Sequence, residues 1–262
     1  MNNKQCVIGA ILGDIIGSIY EDSDINSYDF SLFTNKSDFT DDSVLTIATM
    51  DCLLKSEDYA TMYKIYARKF PDRGYGMGFT NWLLKSKPFP YNSCGNGSAM
   101  RVSPIAWYYE SLDDVLAESK KSAECTHNHP EGIKGAQAIA TCVFLARHGY
   151  EKKSIKSFIN QSFGYDLNRN IENMQPDNIL DSTCQHTVPK AIIAFVESSD
   201  FEDAIRLAVS MGGDCDTIAS MTGAIAEAYY KHIPQNISCE ITKRIPSELL
   251  DVIHRFSDKV LK

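Results

Sequence analysis

Two stretches of this chain carry small residues at helical spacing, and they constrain the fold more than any other feature. Residues 5–20 run without a turn signal. Val7, Ile11, Ile15 and Ile19 recur on one helical face, and Gly9, Gly13 and Gly17 recur four apart on another. Each glycine costs a helix about 1 kcal/mol against alanine. A helix accepts that cost where a second backbone, or a ligand, lies against the glycine face. The second stretch, 216–230, carries Ala219, Ser220, Gly223, Ala224 and Ala226. Two helices in close contact at the centre of the molecule are therefore expected.

The rest of the chain repeats the helical period. Thr40 stands as an N-cap before Asp41, Asp42 and an apolar run, with the two acids in the first turn where the helix dipole favours them. Further helices are expected at 58–70 (stopped by Pro71), 74–84, 100–109, 112–124, 131–148 (with Gly149 as C-cap), 151–163, 187–198, 201–211 (capped by Asp200) and 247–259. Residues 91–98 read as a loop, and 164–181 as the longest irregular stretch, with Asp166, Asn168 and Asn170 as a candidate lid. Period-two alternation is scarce. Residues near 237–242 read as extended but make no sheet. No linker rich in Pro, Gly and Ser divides the chain. The expectation is an all-α fold, a single compact orthogonal helical domain of about 10–13 helices spanning residues 1–262.

Charge and cysteine usage narrow the setting. Lys and Arg number 26 against 34 Asp and Glu, a net charge of −8. That balance argues against non-specific binding of nucleic acid or anionic membrane. No apolar run is long enough to span a bilayer, and Asp14 breaks any signal-peptide core. The eight cysteines are scattered with no C-x-x-C, so reduced thiols and a cytoplasmic location are expected. No coiled-coil face is visible, and a monomer is expected.

Two acidic segments can carry chemistry. Thr40-Asp41-Asp42 and Asp214-Cys215-Asp216-Thr217 each open a helix, and each reads alone as ordinary capping. Together they offer four carboxylates and two hydroxyls, hard oxygen donors suited to Mg²⁺. Four carboxylates crowded together without a cation raise one another's pKa, and two divalent cations neutralise them. A binuclear site requires Asp41 and Asp42 to lie within about 10 Å of Asp214 and Asp216, because paired metals sit about 3.5–4 Å apart.

Other segments admit two readings. Gly95-Asn96-Gly97-Ser98 is either a plain turn or a nest of backbone N–H groups for an anion; it is no Walker loop, since no G-K-[ST] follows. Cys125, His127 and His129, supplemented by Cys184 and His186, are soft ligands compatible with zinc, or else a polar loop at a cleft. Neither Cys94 nor Cys215 has a base partner in sequence that would make it a nucleophile. Cys215 between two acids nevertheless suggests oxidation or soft-metal sensitivity. Asp14, inside an apolar helix, reads as buried and capping a neighbour. Glu21 alone reads as a surface acid.

The ordered set of motifs resembles the ADP-ribosylglycohydrolase family. It comprises Gly9-x-x-x-Gly13-Asp14-x-x-Gly17-Ser18-x-x-Glu21, Thr40-Asp41-Asp42, Arg73-Gly74-Tyr75-Gly76, Gly95-Asn96-Gly97-Ser98-Ala99-Met100-Arg101, Thr126-His127 with Pro130, and Gly212-Gly213-Asp214-Cys215-Asp216-Thr217. The resemblance implies an all-α fold with two Mg²⁺ ions, Mn²⁺ being a substitute, held by Thr40, Asp41, Asp42, Asp214, Asp216 and Thr217. It implies hydrolysis at the anomeric carbon of the distal ribose of an ADP-ribose conjugate, on a protein or a small acceptor, arginine and serine linkages included. Glu21, Asp41, Asp42 and Asp214 are the implied catalytic carboxylates. Gly95, Asn96, Gly97, Ser98, Met100, Thr126 and His127 are the implied substrate contacts. The alternatives are a non-catalytic ADP-ribose-binding or structural protein, and a metal-dependent phosphoester hydrolase steered by Arg73 and Arg101.

Overall fold

The computed structural model describes residues 7–21, 27–86, 89–169, 171 and 181–261. Among the described residues it contains fifteen helical segments. They are α1 (Gly9–Gly17), α2 (Asp41–Lys55), α3 (Tyr59–Lys69), α4 (Met77–Leu84), α5 (Gly97–Met100), α6 (Ser103–Tyr108), α7 (Leu112–Glu124) and α8 (Pro130–Arg147). There follow α9 (Lys152–Phe163), α10 (Cys184–Glu197), α11 (Phe201–Ser210), α12 (Cys215–Tyr230), α13 (Gln235–Ser238), α14 (Ile241–Arg244) and α15 (Ser247–Val260). The sole extended pairing among the described residues is one isolated bridge between Gly95 and Thr183. The fold is all-α and compact, as expected.

The glycine face of α1 meets backbone. A Cβ placed on Gly13 would stand 2.1 Å from the Ala219 carbonyl oxygen, and one on Gly9 would stand 2.4 Å from that of Gly223. From the other side, a Cβ on Gly223 would stand 2.2 Å from the Gly9 carbonyl oxygen. Such distances are well inside van der Waals contact, so α1 and α12 touch main chain to main chain. Both are buried, α1 along its whole length and α12 from Cys215 to Ala228. Around this pair α8, α10 and α11 pack against α12, α2 packs between α1 and α3, and α15 closes over α2 and α6.

Two buried carboxylates tie the central helices together. Glu227 of α12 accepts the N–H groups of Ile8 (3.0 Å) and Gly9 (2.8 Å). It thereby caps α1, whose own N-cap, Ile8, offers no side-chain acceptor. Burial pushes the Glu227 carboxyl up to about 7. Asp14 of α1 does the same for α2. It accepts the Thr40 N–H (3.0 Å), the Thr40 hydroxyl (2.7 Å), the Ser43 N–H (3.1 Å) and the Ser43 hydroxyl. Asp14 is thus the interhelical cap expected of it, and it fixes where α2 begins.

Several boundaries shift. The first helix spans Gly9–Gly17 rather than 5–20; residues 5 and 6 lie outside the described residues. Residues 237–242 are not extended: they fall in the two short helices α13 and α14 and the turn between them, with Ile237 and Ile241 buried. Of the expected irregular stretch 164–181, residues 170 and 172–180, Asn170 among them, lie outside the described residues. Gly149 takes the left-handed turn after α8, with φ +79°. The seven described cysteines are free thiols. Among the described residues no helix is long and apolar enough to cross a membrane.

Candidate active site

The close approach of α1 and α12 delivers the two acidic segments to one place. At the end of α1 a Cβ on Gly17 would stand 2.5 Å from the Asp216 Cα, so the chain leaving α1 runs directly over the start of α12. Before α12 the backbone turns through Gly212 and Gly213, at φ +65° and +77°, a pair of left-handed residues that glycine adopts without strain. Asp14 meanwhile holds the first turn of α2 against α1. The N-termini of α2 and α12 therefore face each other, and the Thr217 hydroxyl donates to Asp42 Oδ2 at 3.1 Å.

The remaining donors complete the cluster. Glu21, Asp214 and Asp216 each present a carboxylate oxygen within 4.8 Å of the others. Asn96, in the turn before α5, donates its side-chain N–H to Asp214 Oδ2 at 2.8 Å. The Asp41 N–H donates to the Arg73 carbonyl at 2.7 Å. Gly74, at φ +90°, lies beneath that contact, and a Cβ there would be 3.5 Å from Asp41 Oδ1.

The electrostatics are those of a cation site. Burial, then the neighbouring Asp14 and Asp214, push Asp41 up to about 8. Burial, then Asp14, Asp41 and Asp214, hold Asp42 well above the usual carboxylate range. Burial, then Asp42, Asp214 and Glu21, do the same for Asp216. Asp42 Oδ1 is buried with no hydrogen-bond partner among the described residues. A buried carboxylate oxygen left unpaired is costly, and a divalent cation satisfies it directly. The donor set consists of hard oxygens, which suits Mg²⁺ or Ca²⁺ over a soft metal.

A cavity of about 310 Å³ opens onto the cluster. Its wall includes Glu21, Asp41, Asp42, Asp214 and Thr217, together with Gly95, Asn96, Gly97, Met100, Arg101 and His127. Four of the expected site residues stand behind that wall, among them Asp216, whose Oδ1 accepts the Thr217 N–H at 2.8 Å. Thr40 spends its hydroxyl on Asp14 and on the Asp42 N–H. Ser98 is fully buried and donates to the Gly132 carbonyl at 2.8 Å. Thr126 is fully buried and bonds to His127 Nδ1 at 2.7 Å. In the Gly95–Ser98 turn, Gly95 and Asn96 donate their N–H groups to Ser93 Oγ and to the Ser182 carbonyl. The N–H group of Gly97, at the cavity wall, remains for an anion.

The soft-metal reading of residues 125–129 does not hold. Cys125 Sγ donates to the Ser122 carbonyl, His127 bonds to Thr126, and His129 caps α8 by accepting the Glu131 N–H. The three side chains serve three local contacts and share no centre. Cys215 turns away from the acids toward the Val209 carbonyl, and burial pushes its thiol up to about 12, so it is no ready nucleophile. Sequence reasoning missed Phe79, Tyr91, Ser93 and Ser182, which also line the cavity. Phe79 and Tyr91 look in sequence like any core aromatic.

Comparison with known proteins meets this geometry. The model of a family described as ADP-ribosylglycohydrolase matches residues 3–261. The chain belongs to the ADP-ribosylglycohydrolase family. The family places it among hydrolases acting on ADP-ribose conjugates. It is 30 % identical to human ADP-ribosylhydrolase ARH3 over 323 residues, covering 90 % of this chain and 88 % of that protein. It is 23 % identical over 261 residues to the ADP-ribosylarginine hydrolase Tri1 of Pseudomonas putida, covering 87 % of this chain and 70 % of that protein. A solved structure described as an ADP-ribosylglycohydrolase-related protein complex superimposes with a TM-score of 0.67 at 21 % identity, covering 97 % of this chain and 99 % of that one. That likeness confirms the fold of this family member.

Proposed function

We propose that the protein hydrolyses the glycosidic bond at the anomeric carbon of the distal ribose in an ADP-ribose conjugate. The conjugate is ADP-ribosyl-arginine, ADP-ribosyl-serine or a related small acceptor, on a protein or free. The observation that carries this reading is the 3.1 Å hydrogen bond from Thr217 to Asp42, because it joins two acidic segments that are 175 residues apart in sequence. Asp41, Asp42, Asp214, Asp216 and Thr217 would hold two Mg²⁺ ions, or Mn²⁺ in their place, and Thr40 would join them only through the oxygen lone pair that its bonds to Asp14 and the Asp42 N–H leave. Bound there, the cations supply charge to fix the ribose hydroxyls and to acidify a water. We take residues 1–262 as one domain working as a cytoplasmic monomer.

The chain's own groups do the rest. Glu21 stands at the exposed edge of the cluster, where a carboxylate can take the proton of the attacking water as the ribose develops positive character. Asn96 holds Asp214 in place through its side-chain N–H. The N–H group of Gly97, with the ring of His127 beside it, forms a corner for a diphosphate. Phe79 and Tyr91 supply apolar wall that excludes water from the sugar. A phosphoester hydrolase would need cations at the cavity. Arg73 instead pairs with Asp38 and lies 3.6 Å over the Phe39 ring; Arg101 lines the cavity but is fully buried, its Nη2 held by the Ser122 carbonyl and the Thr126 hydroxyl, and this shortage of exposed cations supports the glycosidic reading.

A panel of ADP-ribosylated arginine, serine and small-acceptor substrates, run with Mg²⁺ beside simple phosphoesters, tests the proposal. Mg²⁺-dependent release of ADP-ribose from at least one conjugate is expected. Binding of Mg²⁺ and ADP-ribose without turnover of any conjugate would mean a binding protein. Turnover of phosphoesters alone would mean a different hydrolase.

The raised carboxylates predict how stability responds to pH. A carboxyl whose folded pKa lies at about 8 against an ordinary 3.8, as for Asp41, takes up a proton on folding. Metal-free stability therefore falls as pH rises from about 4 to 8. Cations need the ionised form and compete with those protons. The thermal shift produced by a fixed Mg²⁺ concentration is expected to grow between pH 6 and pH 8.5. A shift independent of pH in differential scanning calorimetry would contradict this.

A further inference from the structure

Arg101 is a fully buried cation with no carboxylate beside it. Its Nη2 donates to the Ser122 carbonyl at 3.1 Å and to the Thr126 hydroxyl at 2.8 Å, and its guanidinium lies 4.0 Å from the Tyr63 ring centre. Nε and Nη1 have no hydrogen-bond partner among the described residues. A guanidinium desolvated this completely is expensive to keep. A helix–loop contact of this kind could be made by an uncharged side chain.

The direction of the bonds around Thr126 gives the residue a purpose. Arginine can only donate, so the Thr126 oxygen must accept from Nη2. The hydroxyl has one proton of its own, and His127 Nδ1, at 2.7 Å, is the strong acceptor within reach; the Cys125 sulfur, which also meets the hydroxyl, is a weak acceptor and donates its own proton to the Ser122 carbonyl. If Nδ1 carried a proton instead, the buried Thr126 proton would be left only the Cys125 sulfur, a weak acceptor, at the cost of a poorly satisfied buried donor. Nδ1 is therefore the acceptor, and the ring proton sits on Nε2. Burial and the Arg101 charge both disfavour the imidazolium.

Nε2 is the end of the ring that faces the cavity. A Cβ on Gly97 would stand 3.1 Å from it, and one on Gly95 3.6 Å. It has no hydrogen-bond partner among the described residues, although His127 is only 5 % exposed. An Nε2–H in that corner adds a second donor to the N–H group of Gly97. The other tautomer would turn a lone pair toward the same anion.

We propose that Arg101 is a positioning residue that acts through the Thr126 hydroxyl to hold His127 as its Nε2–H tautomer, so that the ring donates to a ligand oxygen seated over the Gly95–Gly97 turn. This rests on the reading of that corner as the diphosphate seat. The tautomer itself is a property of the free protein, and the two can be tested apart.

Long-range ¹H–¹⁵N NMR of the imidazoles in the wild-type protein at neutral pH is the first measurement. His127 is expected as the neutral Nε2–H form. Thr126→Val keeps the shape and removes the relay. It is expected to release the ring to a mixture of tautomers and to weaken ADP-ribose binding about tenfold, the effect of losing one charge-assisted hydrogen bond. Thr126→Ser, which keeps the hydroxyl, is expected to restore both. Should the valine variant not fold, Thr126→Ala serves in its place. A wild-type ring in the Nδ1–H or imidazolium form would overturn the proposal, and so would a ring whose Nε2–H tautomer is unmoved by loss of the hydroxyl. An Nε2–H ring that responds to Thr126→Val but not to added ADP-ribose would uphold the relay and remove the diphosphate seat.

Discussion

Asp42→Asn is expected to lower turnover of the conjugate substrate by about 10³-fold or more while leaving the metal-free protein as stable as the wild type, or more so. The two effects have opposite signs for one physical reason. Asp42 is 2 % exposed, and burial together with Asp14, Asp41 and Asp214 disfavours its charge. Asparagine removes that charge at nearly constant shape. Its oxygen can still accept from Thr217, and its NH₂ falls where Oδ1 has no protein partner. A cation loses a charged ligand, however, and the several kcal/mol it lends to the transition state go with the geometry; about 4 kcal/mol is a thousandfold in rate. Asp216→Asn should behave alike, since Asp42, Asp214 and Glu21 bear on it in the same way. The measurements are kcat at limiting Mg²⁺ and thermal unfolding with and without Mg²⁺. The variants should lose most of the Mg²⁺-induced rise in Tm. Near-wild-type turnover in both would end the binuclear reading. A large fall in metal-free Tm would show that these carboxylates serve packing instead.

What the sequence makes legible is whatever depends on neighbours along the chain. Thr40, Asp41 and Asp42 are adjacent, and adjacency at a helix start fixes which way they point. The spacing of Gly9, Gly13 and Gly17 declares a contact without naming the partner, and the small residues of 219–226 supply it. Depth is another matter. Ser98 and Thr126 sit next to residues that line the cavity, yet both turn inward, because α5 and the turn after α7 rotate alternate side chains away from the opening. Nothing local distinguishes the two orientations. The alternate spacing of Cys125, His127 and His129 suggests shared ligation, but the start of α8 takes His129 as its cap and pulls it from the others. The helices at 235–244 are each one turn long, too short for a period to declare itself. Phe79 and Tyr91 reach the cavity only because α4 is held against α3 and the loop after it pairs with Thr126, far along the chain. The Arg101–Thr126–His127 chain is likewise invisible until the loop at 125–129 is laid over α5.

The second large effect concerns the floor of the site rather than its ligands. Gly13→Ala is expected to destabilise the protein by about 3 kcal/mol, the upper part of the range for overpacking. The added methyl would stand 2.1 Å from the Ala219 carbonyl oxygen and 2.5 Å from its carbon. Both are main-chain atoms of a helix held by α8, α10 and α11, so neither can yield as a side-chain tip would. The intrinsic helix preference for alanine returns only about 0.5–1 kcal/mol. In a chain of this length the net loss corresponds to a fall in Tm of about 6–10 °C. Gly76→Ala is the matching control. Gly76 has an ordinary φ of −58° and open space where the methyl would go, so its stability should stay within about 0.5 kcal/mol of wild type. Gly17→Ala separates packing from function. Its methyl would stand 2.5 Å from the Asp216 Cα and 2.7 Å from the Asp216 nitrogen, so relief of the clash must move Asp216 itself. The expected outcome is a loss of Mg²⁺ affinity in the folded variant, measured by calorimetric titration, that Gly13→Ala does not share at equal destabilisation. Equal Mg²⁺ affinity in the two variants would mean that the start of α12 can shift without disturbing the acids. The contact between α1 and α12 would then be a matter of stability alone.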